Sequence, residues 1–333
     1  MKIRVGTFNL FQFVEPPYSW YTKKEKFTIE QWSEKTTWIK NQITEMNCDI
    51  IGFQEVFSKK ALKTLLNELG FKYFKTIDSS RTDKKNELVY TTTIVALASK
   101  YPIKNLKKVE IDFSALKKHH LNGFFKFARE PIKATITLPN QKELDIYVCH
   151  LKSNRDNEFE YVFTKDATLN EKKEKVKKAL EEDYSKSLKQ RLCEASSIFS
   201  DIKRTSNPAI LMTDLNDKEF SITIEALSNK KYHDETFKKD DYLMLDAYHY
   251  FEKKVYNPHP EQKEIKRTPT SYFAGKGNVL DYIFVSSLFD KNKKNNIGKI
   301  SSYEVFDKHL QKNQNGSLLN SDHAQVVCEL EFN

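Results

Sequence analysis

An α/β domain in which strands outnumber helices is what this sequence predicts, and three observations carry the expectation. Eight short runs rich in Val, Ile, Thr, Tyr and Phe punctuate the 333 residues, the residue types that pack well on a pleated surface. Apolar residues at helical spacing occupy several of the intervals between those runs. No internal repeat, long Gly/Ser linker or break in composition divides the chain, so residues 1–333 read as one domain. With 39% hydrophobic and 13% aromatic residues, there is ample material for a large core.

In chain order, residues 2–10, KIRVGTFNL, form the first expected strand. Trp32, Ile39, Ile43 and Met46 then recur at mostly helical spacing and predict a helix. DIIGFQ, residues 49–54, is a short apolar run of the kind a buried strand shows. Ser58 is a candidate cap for a second helix that carries Leu62, Leu65, Leu66 and Leu69 and stops at Gly70. Residues 92–99, 132–138 and 143–151 are the next strands, each with β-branched side chains. The longest helix starts at the capping-box pattern Thr168-x-x-Glu171 and aligns Val176, Leu180, Leu188, Leu192, Ala195, Phe199 and Ile202. Its first half, EKKEKVKKALEED, is charged enough to be mostly solvated. The stretch around 156–190 therefore reads as a charged helical insertion, placed to form one wall of a cleft. Strands at 209–213, 279–286 and 324–332 complete the series. In the last, Val326, Cys328, Leu330 and Phe332 alternate with Gln325, Glu329 and Glu331, the period of two expected when one face is wetter.

Composition narrows the function. The net charge of +9 favours an anionic partner, because phosphate binding begins with positive charge. Only seven of the 55 basic residues are Arg, however, and the Lys are spread along a chain also rich in Asn, Ile and Phe. Compositional drift explains that pattern equally well, so the charge carries little weight. Cys48, Cys149, Cys193 and Cys328 stand far apart with no C-x-x-C pair, which suggests packed thiols rather than a zinc cage or disulfide framework. No stretch approaches the roughly 18 to 20 apolar residues that cross a bilayer. The amino terminus lacks a basic region followed by an apolar helix, so a cytoplasmic protein made without a cleaved signal is expected. The patterns G-x-x-x-x-G-K-[ST], G-x-G-x-x-G and G-x-S-x-G are absent, which argues against a nucleotide cofactor and against serine hydrolysis. AGKGN at 274–278 reads as a turn, and the sequence leaves the oligomeric state open.

Chemistry enters at the strand ends. IRVGTF leads to Asn9, DIIGFQ to Glu55, DIYVC to His150 and AILMT to Asp214, while Asp322 and His323 immediately precede the last strand. One acid after a strand is ordinarily a turn residue or a helix cap. Five segments ending this way point to a shared polar edge. Carboxylates with amide oxygens suit a hard cation such as Mg2+, and two histidines beside them suit acid/base work or stabilisation of phosphate charge.

The motifs TFNL, DIIGFQEV, REPIKATITL, CHLKS, TDLND, LDYIFVS and SDHAQVV, in that order, resemble the signatures of the endonuclease/exonuclease/phosphatase superfamily, the DNase I-like hydrolases. The matches run from Thr7 to Val327, and although each motif is weak alone, the ordered set is specific. The resemblance implies a four-layer α/β sandwich of two mainly antiparallel sheets flanked by helices, with the site at one edge. It also implies roles. Glu55 would be the principal Mg2+ ligand, with Asn9 and Asp322 nearby and Mn2+ as an alternative ion. Asp214 would orient or deprotonate the attacking water, and Asn216 would hold Asp214 and the phosphate. His323, oriented by Asp281, would face the phosphate. His150 would bind phosphoryl oxygens or assist the leaving group, and Arg129 would grip a phosphate oxygen. Two departures bear on the subfamily. Phe11 stands where some DNA-repair members carry an acid, which puts a second metal position in doubt. Gly277-Asn278-Val279 precedes the LDY motif where apurinic-site endonucleases typically carry Trp, which disfavours abasic repair.

Three functions compete at this point. A Mg2+-dependent nuclease cutting DNA or RNA phosphodiesters comes first, with nucleic acid as substrate. A phosphoesterase acting on a lipid or inositol phosphate, in the manner of sphingomyelinases or inositol phosphatases, shares the same core chemistry. A catalytically inert binding module is the third, and the full set from Asn9 to His323 argues against it. Residues 104–133 interleave Lys107, Lys108, Lys117, Lys118, Lys126, Arg129 and Lys133 with Phe113, Phe124, Phe125 and Phe127. Such a stretch suits a nucleic-acid backbone or a lipid headgroup region, and equally a solvated loop whose Phe side chains enter the core.

Overall fold

The computed structural model describes residues 1–118, 125–154, 161–182, 185–234, 236, 240–251 and 267–333. Its main strands are β1 (Lys2–Phe13), β2 (Ile50–Val56), β3 (Tyr73–Lys75), β4 (Ile94–Ser99), β5 (Ile103–Lys108), β6 (Ile132–Thr137), β7 (Glu143–His150), β8 (Ala209–Asp214), β9 (Met244–Asp246), β10 (Asp281–Ser286), β11 (Gly298–Phe306) and β12 (Gln325–Phe332). They form two six-stranded sheets. Sheet I has the order β11-β12-β1-β2-β4-β3, and sheet II the order β9-β10-β8-β7-β6-β5. Within these sheets β1 pairs parallel with β2 and β7 parallel with β8, and the remaining pairs are antiparallel.

Those two parallel pairs explain the convergence of the polar strand ends. Parallel neighbours finish side by side, which puts Asn9 next to the Glu55 segment and His150 opposite Asp214. Antiparallel neighbours begin where these finish, so Asp281 at the start of β10 lies opposite Asp214. The start of β12 reaches the same edge beside β1.

The sheets pack face to face. Val5, Ile50, Val95 and Leu97 of sheet I meet Ala134, Ile146, Val148, Ile210, Met212 and Ile283 of sheet II in an apolar core. A Cβ added to Gly52 would stand 3.0 Å from Met212 Cβ and Val148 Cγ1, so a larger residue would have to push these side chains aside by a few tenths of an ångström. Helices cover both outer faces. α1 (Ile29–Met46) and α2 (Lys59–Glu68) lie on sheet I through Ile39, Ile43, Leu62, Leu65 and Leu66. α3 (Leu169–Glu181), α4 (Lys186–Lys203) and α5 (Ile222–Ser228) lie on sheet II through Val176, Leu188, Leu192, Ile198 and Ile222. The result is the expected four-layer α/β sandwich.

Several local expectations are corrected. The single long helix is two, because Ser185 accepts a hydrogen bond from Leu188 N and starts a new helix. Its second part, α4, is an integral outer layer of sheet II, whereas residues 155–160 at the start of the 156–190 stretch lie outside the described residues. Ser58 does not cap α2 with its side chain, because its Oγ accepts from Glu15 N at 2.9 Å. Gly70 does follow that helix in the left-handed region, at φ 85°. The strands β3, β5, β9 and β11 carried no clear pattern because they are short or lie at sheet edges, where one side of the ladder faces solvent and polar residues are tolerated. Only Ala274 and Gly275 of AGKGN form a turn, at φ 48° and 75°, while Lys276–Asn278 are the second strand of a hairpin with Ser271–Phe273. All four cysteines are free and buried. Among the described residues, no helix is long and apolar enough to cross a membrane.

Candidate active site

The edge where the strands end is locally strained. The pairing of β1 with β2 slips between Asn9 and Phe13, and Phe11, Gln12 and Glu55 adopt φ of 48°, 63° and 58°. A non-glycine residue held in that region costs about 1–3 kcal/mol and persists only where its surroundings impose it. Here side chains impose it. Asn9 Oδ1 accepts from Phe11 N and Glu55 Oε2 accepts from Gln12 N, both at 3.0 Å. The kink therefore fixes Asn9 and Glu55 by bonds from the backbone between their strands.

Asp214 links the two sheets. Its Oδ2 accepts from Asn9 Nδ2 at 3.0 Å and its Oδ1 from Asn216 N at 2.8 Å. Burial pushes its carboxyl up to about 7, with Asp281 adding to the rise while His323, Asn216 and Asn9 oppose it. A carboxylate of that basicity can hold or release a proton near neutral pH.

Asp281 and His323 meet as expected. Asp281 Oδ2 lies 2.8 Å from His323 Nδ1, and His323 Nε2 is 4.0 Å from Asp322 Oδ1. Burial alone would neutralise His323, but Asp281, Asp322 and Asp214 together outweigh it and hold the imidazole charged well above its usual range. The hairpin roots this pair: Thr270 Oγ1 accepts from Asp281 N at 3.1 Å, and Ala324 N donates to Thr270 O at 2.7 Å.

Across the edge lies His150, whose Nε2 is 3.4 Å from Asp214 Oδ2 and whose buried Nδ1 has no partner among the described residues. Burial, Arg129 and His323 all lower its pKa, so it is neutral. Leu151 O gathers its neighbours, accepting from Arg129 Nη1 at 3.0 Å and Asn216 Nδ2 at 3.1 Å. Asn216 reaches this position because it sits at φ 51° in the turn after β8. Asp217, by contrast, is structural. Its Oδ2 accepts from Thr223 Oγ1 at 2.6 Å and ties the turn to α5.

Two oxygen-rich places can be tested for a cation. Asp214, Asp281 and His323 offer ligand atoms within 4.8 Å of one another. Nδ1 of His323 is committed to Asp281, however, and the imidazolium already balances charge there. The second place fits a hard cation better. The Asp322 side chain is 33% exposed, yet its Oδ1 is enclosed and, besides His323 Nε2 at 4.0 Å, has no hydrogen-bond partner among the described residues. Enclosure raises the Asp322 pKa, and Glu55 beside it adds to the rise against the pull of His323. These two carboxylates, with the Asn9 amide alongside, form the oxygen set that a divalent ion favours.

Two residues of this edge escaped the sequence reading. Lys35 and Glu194 are fully enclosed on α1 and α4. Glu194 accepts from Ala128 N at 2.7 Å and Lys152 N at 2.8 Å, joining the segments that carry Arg129 and His150. The signal for Lys35 was present, since it falls between Trp32 and Ile39 on the apolar helical stripe. The 104–133 stretch divides. Phe125 and Phe127 are buried, Phe113 is exposed, and Phe124 lies outside the described residues.

Residues 6–293 match the family model described as Endonuclease/Exonuclease/phosphatase family, and the chain belongs to that family. Its members are in general hydrolases of phosphoester bonds and typically depend on a divalent metal. No curated protein is a significant match. Solved structures with the same fold include the human Nocturnin catalytic domain with bound sulfate, 15% identical over 100% of this chain and 94% of its own, at a TM-score of 0.57. An endonuclease/exonuclease/phosphatase from Bacteroides vulgatus is 16% identical over 100% of both chains, at a TM-score of 0.55. D. rerio TDP2 complexed with single strand DNA product is 11% identical over 99% of both chains, at a TM-score of 0.56.

Proposed function

We propose that this phosphoesterase is a Mg2+-dependent nuclease that hydrolyses phosphodiester bonds of DNA or RNA. The observation that carries the reading is the enclosed oxygen of Asp322 beside Glu55, with no hydrogen bond among the described residues, set next to the charged His323–Asp281 pair and to Asp214. A phosphodiester repels an attacking hydroxide, so its hydrolysis needs charge relief on the non-bridging oxygens, an activated water and help for the leaving oxygen. A divalent ion held by Glu55 and Asp322 with Asn9 would supply charge relief. Asp214 takes the proton of the attacking water, its orientation fixed by Asn9 and Asn216. His323 donates to a phosphoryl oxygen, held in place by Asp281. Neutral His150 offers Nδ1 to the phosphate or leaving group, and Arg129 adds a fixed positive charge beside it.

Lys107 and Lys108 support a polyanion rather than a compact phosphate. They pair with Lys133 and Ile132 at the end of sheet II that carries His150, two strands away from it. With about 4.8 Å per strand and two to three residues of offset along it, Lys107 and Lys108, the latter also 3.8 Å from Glu130, stand more than roughly 10 Å from His150, beyond the reacting phosphate and suited to its neighbours. The neighbour crystallised with a single-strand DNA product agrees with that choice. The test is to offer plasmid, RNA, sphingomyelin and inositol phosphates with Mg2+, Mn2+ or EDTA. Cleavage of nucleic acid that EDTA abolishes is expected. Oligonucleotide binding should weaken with salt, by a log–log slope of about −0.9 per duplex phosphate contact or about −0.7 on a single strand. Absent oligonucleotide binding together with efficient hydrolysis of a lipid or inositol phosphate overturns the nuclease reading.

A further inference from the structure

Lys35 stands on the apolar stripe of α1, with a relative exposure of 0%. Its Nζ donates to Phe11 O at 2.8 Å, Leu318 O at 2.7 Å and Asn320 O at 3.0 Å. An ammonium has three donors, and all three are used. The acceptors lie on two segments: the left-handed kink after Asn9, and the loop that leads to Asp322. Burial lowers the Lys35 pKa to about 7 against the pull of Glu55 and Asp322, so the ammonium is held at a cost. An apolar side chain would fill a place on this stripe without that cost.

The covalent geometry supplies a reason. Phe11 O and Gln12 N–H belong to one planar peptide unit. Lys35 holds the oxygen of that plane, and the N–H on its other side donates to Glu55 Oε2 at 3.0 Å. The orientation of a single peptide thus connects the ammonium to Glu55. The second segment is joined in the same way, since Lys35 binds Asn320 O while Ser321 Oγ donates to Asn9 O at 2.8 Å.

We propose that Lys35 is the positioning residue that brings Glu55 and Asp322 into register as one metal site, by pinning the Phe11–Gln12 peptide and the 318–320 carbonyls from below. The metal part rests on the reading of Glu55 and Asp322 given above; the positioning of the peptide does not. Without Lys35 the strained peptide is free to rotate, and Gln12 N–H leaves Glu55. A purely electrostatic role predicts the opposite metal effect, because removing a positive charge beside a cation site should tighten binding.

The experiment compares wild type, Lys35→Met, Lys35→Gln and Lys35→Arg, with folding checked by near-ultraviolet circular dichroism. Hydrogen exchange of the Gln12 amide in EDTA reads the peptide without any metal. Mn2+ titration followed by electron paramagnetic resonance reads the site without turnover. In Lys35→Met, and in Lys35→Gln should the first variant misfold, Gln12 exchange should quicken by tenfold or more. Mn2+ affinity should fall about 10- to 100-fold, the usual loss when a group supporting a metal ligand is removed. Lys35→Arg, which keeps charge and donors, should recover part of both. Unchanged Gln12 exchange, or Mn2+ binding that is unchanged or tighter, overturns the proposal. Wild-type protein that binds no Mn2+, with Gln12 loosened in the variants, refutes the metal assignment and upholds the pinning of the peptide.

Discussion

Exchanging Asp214 for Asn replaces one oxygen of an enclosed carboxylate with an NH2 group, and its partners decide the consequence. Both oxygens now accept, one from Asn216 N at 2.8 Å and the other from Asn9 Nδ2 at 3.0 Å. The new amide can accept only one of those bonds and must face the other donor with a donor. Asn9 cannot relieve the conflict by turning its amide over, because its own Oδ1 is needed by Phe11 N at 3.0 Å. One buried donor left unsatisfied costs about 1–3 kcal/mol, which a folded domain of this size can absorb. The catalytic loss should be larger. Removing a positioned proton acceptor slows turnover about 100- to 10,000-fold, equivalent to roughly 2.7–5.4 kcal/mol on the barrier. Urea unfolding measures the first quantity. Single-turnover rates at saturating Mg2+, at a temperature where both proteins are fully folded, measure the second. A variant within tenfold of the wild-type rate would refute the role of Asp214.

The same site yields further expectations. Glu55→Gln should raise the Mg2+ concentration needed for activity by more than about tenfold, and an unchanged metal dependence removes Glu55 from the ligand set. Asp281→Asn should lower the His323 pKa, read by NMR titration in EDTA, because the carboxylate 2.8 Å from Nδ1 favours the charged ring. No change would mean that the two are not electrostatically coupled. Away from the site, burial raises the Asp112 pKa, but hydrogen bonds from Ser114, Ser200 and Ala115 outweigh it and hold the carboxyl below its usual value. A depressed carboxylate contributes stability above its unfolded pKa and loses it as pH falls through the folded one. Asp112→Asn should therefore be less stable than wild type at pH 7, with the gap closing below about pH 4. A gap independent of pH contradicts this.

How much was legible in the sequence follows the range of the forces involved. Strands such as β2, β8 and β12 announced themselves because interior strands carry apolar residues on both faces or in alternation, a pattern written over neighbouring residues. The polar residues at their ends were visible for the same reason, since an apolar run that stops in Asp214 or His150 is a local contrast. The edge strands β5 and β11 had no such contrast, because half of their surface stays in water. The break between α3 and α4 lay hidden because apolar spacing continued on both sides of it, while one serine side chain capped the start of a new helix.

By itself, then, the sequence determined the strand-rich α/β class, the inner strands along the chain and the identity of the acids and histidines at their ends, while the four-layer arrangement was implied by the family resemblance. Periodicity and composition act over a few residues and survive without a partner. Only the tertiary structure decided which of those side chains face one another. Asn9 meets Asp214 across 205 residues, a separation that leaves no periodic trace in the chain, and the meeting of Asp281 with His323 across 42 residues was implied by the family resemblance alone. It also decided which charges are enclosed. Lys35 and Glu194 are enclosed only once the sheets, the kink after Asn9 and the loop before Asp322 close around their helices. Proton affinity and peptide orientation depend on that enclosure, because water would otherwise satisfy the same groups.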